Sequence, residues 1–280
     1  AGVVGTFDTK AAELNYLAGL LRAVGVRVVT VDIGTRSAPG VADIDAAAVA
    51  SHHPRGAAAV FDTSDRGEAV IAMSEALSAL VRGRLAAGQI DAMLGVGGSG
   101  GSSMIAPAMR LLPIGRPKLL VSTMAAGNVS AYVGVVDMTL MYPVTDIAGL
   151  NRLSRTILAN AAHALAGMLL HRAPVEGAQD KPAIGLTMFG VTTPCVQAVR
   201  HHLQTDFDAQ VFHANGAGGR TLETLAAAGL LSAVVDLTTT EVGQHLAGGV
   251  CDAGPDRLDA AARHGLPWIG SVGALDMINW

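Results

Sequence analysis

Gly95-Val96-Gly97-Gly98-Ser99-Gly100-Gly101-Ser102-Ser103 leaves an apolar run, Ala92–Val96, and enters a stretch of helical spacing over 102–111. A strand, a glycine turn and a helix in that order form the repeating unit of a parallel sheet with crossover helices. Four glycines within residues 97–101 let the backbone adopt unusual φ and approach a ligand closely. The N–H groups at the helix start, with the hydroxyls of Ser99, Ser102 and Ser103, suit a phosphate. Glycines at 95, 97 and 100 also satisfy G-x-G-x-x-G, a pattern that decides nothing by itself. Its dinucleotide form requires an acidic residue about twenty positions on; Gly115-Arg116-Pro117-Lys118 stands there instead. A Walker loop requires Gly-Lys-Ser/Thr, and this turn has no lysine. A turn built only for close packing would use the glycines but not the hydroxyls.

Outward from this turn the alternation recurs. Val3–Gly5 precedes a helical period over 11–24, with Leu14, Leu17, Ala18, Leu21 and Val24 on one face and Gly25 at its end. Val26–Val31 and, after a Pro/Gly/Asp-rich stretch near 36–45, Ala57–Phe61 read as strands, followed by a helix over 66–87. Leu119–Ser122 and Val135–Met141 are expected as strands, and 149–170 as the longest helix. The small residues of that helix (Ala159, Ala161, Ala162, Ala166, Gly167) permit close packing, internal or across a dimer, and His163 reads as a core or interface histidine. Residues 172–182 alone have linker composition, which predicts one lobe over 1–176 and a second α/β lobe over 177–280. The second half restarts, with strands expected at 183–187, 209–213, 232–236 and 267–271 and helices at 194–203, 220–228, 240–247 and 257–264. Its opening, Ile184–Phe189, echoes Val3–Phe7. The expected class is α/β, two lobes with mainly parallel sheets and crossover helices. Ala1 already stands in a strand-like run and Trp280 follows an apolar one, so the sequence is expected to be a fragment, with its second lobe truncated at the C-terminus.

Composition narrows the function. Of 280 residues half are hydrophobic, 15% charged and 4% aromatic, with a mean hydropathy of +0.42. That excludes intrinsic disorder. Nineteen Lys+Arg against 23 Asp+Glu, a net charge of −4 and few aromatics exclude ordinary nucleic-acid binding. The longest uncharged stretches, 119–136 and 182–199, are broken by Gly127-Asn128 and by Gly190 and Pro194, so neither reads as a membrane span. Two cysteines, Cys195 and Cys251, make no disulfide framework or metal spacing, and with no signal peptide the expected compartment is the cytoplasm.

Ligands of parallel sheets bind at the carboxyl ends of the strands. Thr6-Phe7-Asp8-Thr9-Lys10 follows the first strand there and combines hydroxyls, a carboxylate and an ammonium. Lys10 could supply the charge the glycine turn lacks, and Asp8 could stand near a phosphate-bound Mg²⁺; the alternative is an N-cap by Asp8 or Thr9 with Lys10 in solvent. Asp32 closes the second strand, a usual place for a carboxylate that holds a ribose hydroxyl, or else starts a turn with Gly34. Thr123, in Ser122–Asn128, adds a hydroxyl to the same edge. In the second half, Cys195 lies in the first turn of a helix behind Pro194, while Ala214–Arg220 is a second glycine turn and Leu237–Glu241 a hydroxyl cluster, either able to meet a ligand or the other lobe.

Thr6–Lys10, Gly97–Ser102, Asp146–Asn151, Thr187–Cys195 and Gly273–Met277 occur in that order. Together they resemble the Tm-one-like ATP-binding domain family, named after the tomato mosaic virus resistance protein, over essentially the whole chain. The resemblance implies an N-terminal Rossmann-like lobe binding ATP with Mg²⁺, a second α/β lobe and a homodimer. In the plant namesake it implies a protein partner. It maps the nucleotide site onto Thr6, Asp8, Thr9 and Lys10 and onto Gly97, Gly98, Ser99, Gly100, Gly101 and Ser102, with Asp32 and Thr123 beside them. No side-chain metal cage is expected; the magnesium would be held mainly through ATP phosphates. Gly134-Val135-Val136-Asp137 departs from a commoner Gly-Thr-Ser-Asp, which would weaken binding if those hydroxyls met the ligand. The leading expectation is therefore an ATP-binding protein, with a nucleotide-gated dimeric interaction module as the second reading. The alternative is an enzyme on a small phosphorylated or acidic metabolite bound between the lobes.

Overall fold

The computed structural model describes residues 1–36, 39–171 and 181–280. The chain divides into two compact units, Ala1–Ala173 and Pro174–Trp280. The residues expected as a linker fall almost wholly outside the described ones, as do two of the stretch near 36–45.

The first unit runs β1 (Gly2–Gly5), α1 (Phe7–Ala23), β2 (Val29–Asp32), α2 (Ala46–Ala50), α3 (Ala58–Phe61), α4 (Arg66–Ala86), β3 (Met93–Gly97), α5 (Ser99–Met109), β4 (Lys118–Ser122), α6 (Ser130–Val133), β5 (Thr139–Met141) and α7 (Arg152–Leu170). Its five strands are all parallel, in the order β2-β1-β3-β4-β5. Successive side chains of a strand point to opposite faces, and two apolar cores result. Val4, Met93 and Leu120 meet α4 and α5 on one face, whereas Val3, Leu94, Leu119 and Val121 meet α1 and α7 on the other. The small-residue face of α7, including Ala161, Ala162 and Ala166, is spent inside the unit against α1. His163, expected in a core or interface, is on the exposed side of α7.

Two expected strands are corrected. Ala57–Phe61 is the short helix α3. Its alanines have the highest helix propensity, and the sheet place beside β1 belongs to β3. Val135–Met141 contributes only Thr139–Met141, because Gly134 turns at φ +58° and Asp137 pairs with the buried Lys118 ammonium at the amino ends of β4 and β5. Gly134–Asp137 therefore lies at the opposite edge of the sheet from the strand carboxyl ends, and the missing hydroxyls at 135 and 136 do not belong to a site there.

The second unit runs β6 (Ala183–Met188), α8 (Thr193–Leu203), β7 (Asp208–His213), α9 (Ala217–Ala227), β8 (Ala233–Thr238), α10 (Thr240–Ala247), α11 (Asp259–Arg263) and β9 (Trp268–Gly273). Its four strands are parallel, in the order β7-β6-β8-β9. The two sheets thus share one winding, extended among the described residues by a fifth strand only in the first. No helix among the described residues is long and apolar enough to cross a membrane.

An ionic core holds the second unit. The Arg257 guanidinium meets Asp236 through both terminal nitrogens (2.7 and 2.9 Å), Glu241 through Nε (2.8 Å) and Glu223 at 3.2 Å. Arg257, Asp236 and Glu241 are buried. Three carboxylates against one cation would be untenable without further donors. The Thr187 hydroxyl and the backbone N–H groups of Gly216, Gly219, Leu258 and Ala260 supply them. Burial favours loss of the Arg257 proton, but the bonds and charges of Asp236 and then Glu241 outweigh it, and the guanidinium is held above its ordinary value. Arg257→Ala leaves these carboxylates buried without their cation, and denaturant unfolding will show the second unit destabilised by about 3–5 kcal/mol. A surface control, Arg263→Ala, will shift it by under about 0.5 kcal/mol.

Candidate functional site

A sheet wound 2-1-3-4-5 opens a crevice where the chain reverses direction, between the carboxyl ends of its first and third strands. Here those ends are Gly5 and Gly97, and the turns leaving them are Thr6–Lys10 and Gly98–Ser103. The sheet thus brings together the two polar segments read from sequence, more than 85 residues apart.

Gly97 explains the abruptness of the second turn. A β-carbon there would stand 2.7 Å from the backbone nitrogen of Ser102 and 2.8–2.9 Å from Gly101 backbone atoms. Only glycine lets α5 begin two residues after the strand ends. The helix start itself is open: a β-carbon on Gly100 would meet nothing within 4 Å, and one on Gly98 would meet only the Thr123 hydroxyl, at 3.7 Å. Gly98 occupies the cap position without a side chain, so the N–H groups of Ser99, Gly100 and Gly101 have no hydrogen-bond partner among the described residues. Three other helices of the first unit have such ends closed by side chains: Asp45 caps α2, Asp65 caps α4, and Asn151 with Ser154 forms a capping box on α7. α5 lacks such a cap, and it starts at the crevice, where its positive end is available to an anion.

Thr6–Lys10 forms a turn distinct from the rest of α1, since Lys10 departs from helical geometry (φ −134°, ψ 23°). Thr6 and Thr9 hydroxyls bond each other at 2.8 Å, and Asp8 and Thr9 are exposed. The Lys10 ammonium donates to the Ile147 carbonyl (2.6 Å), which leaves two of its three N–H groups for another partner. Beside it the buried Glu13 accepts the Gly149 N–H at 2.6 Å. These two bonds fasten the Asp146–Asn151 segment to α1. Glu13 was not singled out in the sequence; a lone carboxylate three residues beyond Lys10 on an otherwise apolar helical face was its only signal.

Two expected contact residues face inward, Asp32 in the turn with Gly34 that is its alternative reading. Ser102 is fully buried, with its hydroxyl 2.6 Å from that of Ser122, so it joins α5 to β4 and does not face the open turn. Asp32 is also fully buried; its Oδ1 accepts the N–H groups of Phe7 (2.9 Å) and Gly34 (2.8 Å) and braces the β1–α1 turn. Its Oδ2 is buried with no hydrogen-bond partner among the described residues.

In the second unit the glycine turn that follows β7 is already filled. Glu241 Oε1 accepts the N–H groups of Gly216 (2.6 Å) and Gly219 (3.0 Å) at the start of α9. The turn expected as a possible ligand contact is closed by the protein's own carboxylate. The hydroxyls of Thr192 and Thr238 likewise satisfy each other at 2.7 Å. Cys195 is exposed, and Cys251 Sγ receives the Asn279 side-chain amide at 3.4 Å.

Residues 1–174 match the family model described as the UPF0261 N-terminal domain, an uncharacterised protein family, and residues 181–280 match the C-terminal domain of the same family. A UPF0261 protein of Mesorhizobium japonicum, mlr3387, is 53% identical over 278 residues, covering 99% of this chain and 69% of the relative. One from Clostridium tetani is 40% identical with the same coverage. The ToMV resistance protein Tm-1(GCR237) of Solanum lycopersicum is 39% identical over 300 residues, 99% of this chain and 40% of the tomato protein.

The glycines of the turn will separate by role. Gly97→Ala forces backbone atoms apart and will lower stability by about 1–3 kcal/mol in thermal unfolding. Gly100→Ala, which enters open space at a helical position, will leave stability unchanged or raise it by up to about 1 kcal/mol.

Proposed function

The chain belongs to the UPF0261, Tm-1-like family, and from that premise we propose that its first unit binds a nucleoside triphosphate, ATP, with Mg²⁺ at the β1/β3 crevice. One observation carries this reading: among the described residues α5 alone of the longer helices of the first unit presents three unpartnered N–H groups, and it does so at the crevice. An anion as large as a polyphosphate satisfies all three and gains from the helix dipole. Lys10, with two free donors, lies in the neighbouring turn and supplies the positive charge. Thr123 lies across Gly98 and adds a hydroxyl. The unsatisfied Asp32 Oδ2 is an acceptor suited to a hydroxyl or water drawn in with the ligand.

Magnesium fits this donor set only as an ion carried by the phosphates. Asp8 is the exposed carboxylate of the neighbouring turn, and no group of three His, Cys, Asp or Glu able to hold a metal occurs among the described residues. Magnesium characteristically keeps several waters and takes one or two carboxylates beside phosphate oxygens. Bound there, it would offset phosphate charge, while the chain's own groups orient the anion.

Calorimetric titration with ATP, with and without Mg²⁺ and with NAD⁺ as control, tests the reading. Saturable ATP binding that NAD⁺ does not reproduce is expected. Combining Lys10→Ala with Gly98→Val and Gly100→Val will weaken ATP by at least about a hundredfold, about 2.7 kcal/mol, with a cooperative unfolding transition retained. Undiminished affinity in that variant overturns the site.

A further inference from the structure

A second set of polar side chains lies along α4, eight to sixteen residues past its start at Arg66. Ser74, Glu75, Ser78 and Arg82 line a cavity of about 340 Å³ whose walls include Pro54 and Pro107. His53 holds the carboxylate in place from behind. This histidine is buried, and its Nδ1 accepts the Arg55 N–H at 3.0 Å. Nε2 therefore carries the ring proton and donates to Glu75 Oε2 at 2.9 Å. The other Glu75 oxygen has no partner among the described residues. Ser78 is only 7% exposed, yet its hydroxyl makes no hydrogen bond among the described residues. A serine inside a helix ordinarily returns its hydroxyl to the carbonyl four residues back. Arg82 is exposed and has neither an ion pair nor a hydrogen bond among the described residues. Pro107 stands inside α5, where proline forfeits a backbone bond, and its ring forms part of the cavity wall.

Glu75 and Arg82 are two helical turns apart on one side of α4, about 10 Å along its axis. Both side chains lean toward the helix N-terminus, which preserves that separation and keeps the two charges from pairing. A fixed carboxylate at one end, a free guanidinium at the other, an unspent hydroxyl between them and proline walls are the complement of a small zwitterion. We propose that this cavity binds a straight-chain amino acid, with its ammonium on Glu75 and its carboxylate on Arg82. Charge-assisted hydrogen bonds of about 2.8 Å at each end leave about 5 Å between the charges of the ligand. An extended chain with about three methylene groups spans that distance, whereas the charges of an α-amino acid stand too close together. Ser78 then donates to the ligand carboxylate, and His53 acts as a positioning residue for Glu75. The proposal is independent of the nucleotide reading, which concerns the β1/β3 crevice.

Calorimetric titration of the 280-residue chain with glycine, β-alanine, γ-aminobutyrate and ε-aminocaproate tests it, with butylamine and butanoate as single-charge controls. Saturable binding is expected, tightest for γ-aminobutyrate and at least about tenfold weaker for either control. Glu75→Gln keeps an oxygen for His53 but removes the charge, and Arg82→Gln removes the guanidinium. Each will weaken γ-aminobutyrate by at least about tenfold, with a melting temperature within about one degree of the parent, as both positions are exposed. Saturating ATP will not displace the amino acid; displacement would put the zwitterion in the crevice and overturn the assignment. The proposal also fails if no member of the series binds at about 10 mM, if the single-charge controls bind equally well, or if both charge variants keep full affinity.

Discussion

The absence of a β-carbon at position 97 sets the geometry on which the first unit's site depends. With the Ser102 nitrogen 2.7 Å from where that carbon would stand, the chain passes from β3 into α5 with no intervening loop. The helix axis therefore starts at the sheet edge, and its first amides lie beside the turn that leaves β1. Gly5 makes the matching concession on the neighbouring strand, where a β-carbon would be 2.8 Å from the Leu14 side chain and 3.1 Å from the Val96 carbonyl. Both strand ends give up side chains so that helices can approach. The buried Ser102–Ser122 and Asp32–Phe7 hydrogen bonds then hold the turns in place.

The two units resolve the same electrostatic problem in opposite ways. Helix N-termini at strand carboxyl ends concentrate unpaired N–H groups, and burying such groups without partners is costly. At α9 an internal carboxylate, Glu241, answers the demand and is itself neutralised by Arg257. At α5 no internal group does. The two turns stand at different places of the winding, after β7 and after β3, and differ in occupancy: one is filled by the protein and the other is open. Glycine content does not distinguish them, because both turns are glycine-rich.

Much of this was legible in the sequence, because strands buried on both faces and helices with a single apolar face leave strong periodic signals. The alternation of strands and helices, the parallel α/β class and the two polar turns at strand carboxyl ends followed from them. What sequence could not supply was direction. Ser102 has the same hydroxyl as Ser99, and only packing against Ser122 turns it inward. Asp32 stands where a ribose contact is usual, yet its Oδ1 serves two backbone amides. Glu13, Arg257 and the inward-facing Glu241 carry no local pattern, since their partners are 136, 21 and 25 residues away. The alanine run at 57–59 misled because a short apolar stretch fits strand or helix equally until a sheet place is found for it.

The fastening of Asp146–Asn151 to α1 has a consequence for synthesis. Lys10 bonds Ile147 and Glu13 bonds Gly149, contacts that span 137 and 136 residues. β1 also needs β3, which in turn lies between it and β4, before its two edges are satisfied. A nascent chain that has exposed only α1 and β2 holds the first polar turn with neither of those ties. At ribosomal speeds of about 5–20 residues per second, some seconds pass between emergence of Lys10 and arrival of its tether. The cradle is consequently among the last parts of the first unit to set, and a polypeptide interrupted before residue 147 carries the motif without its scaffold.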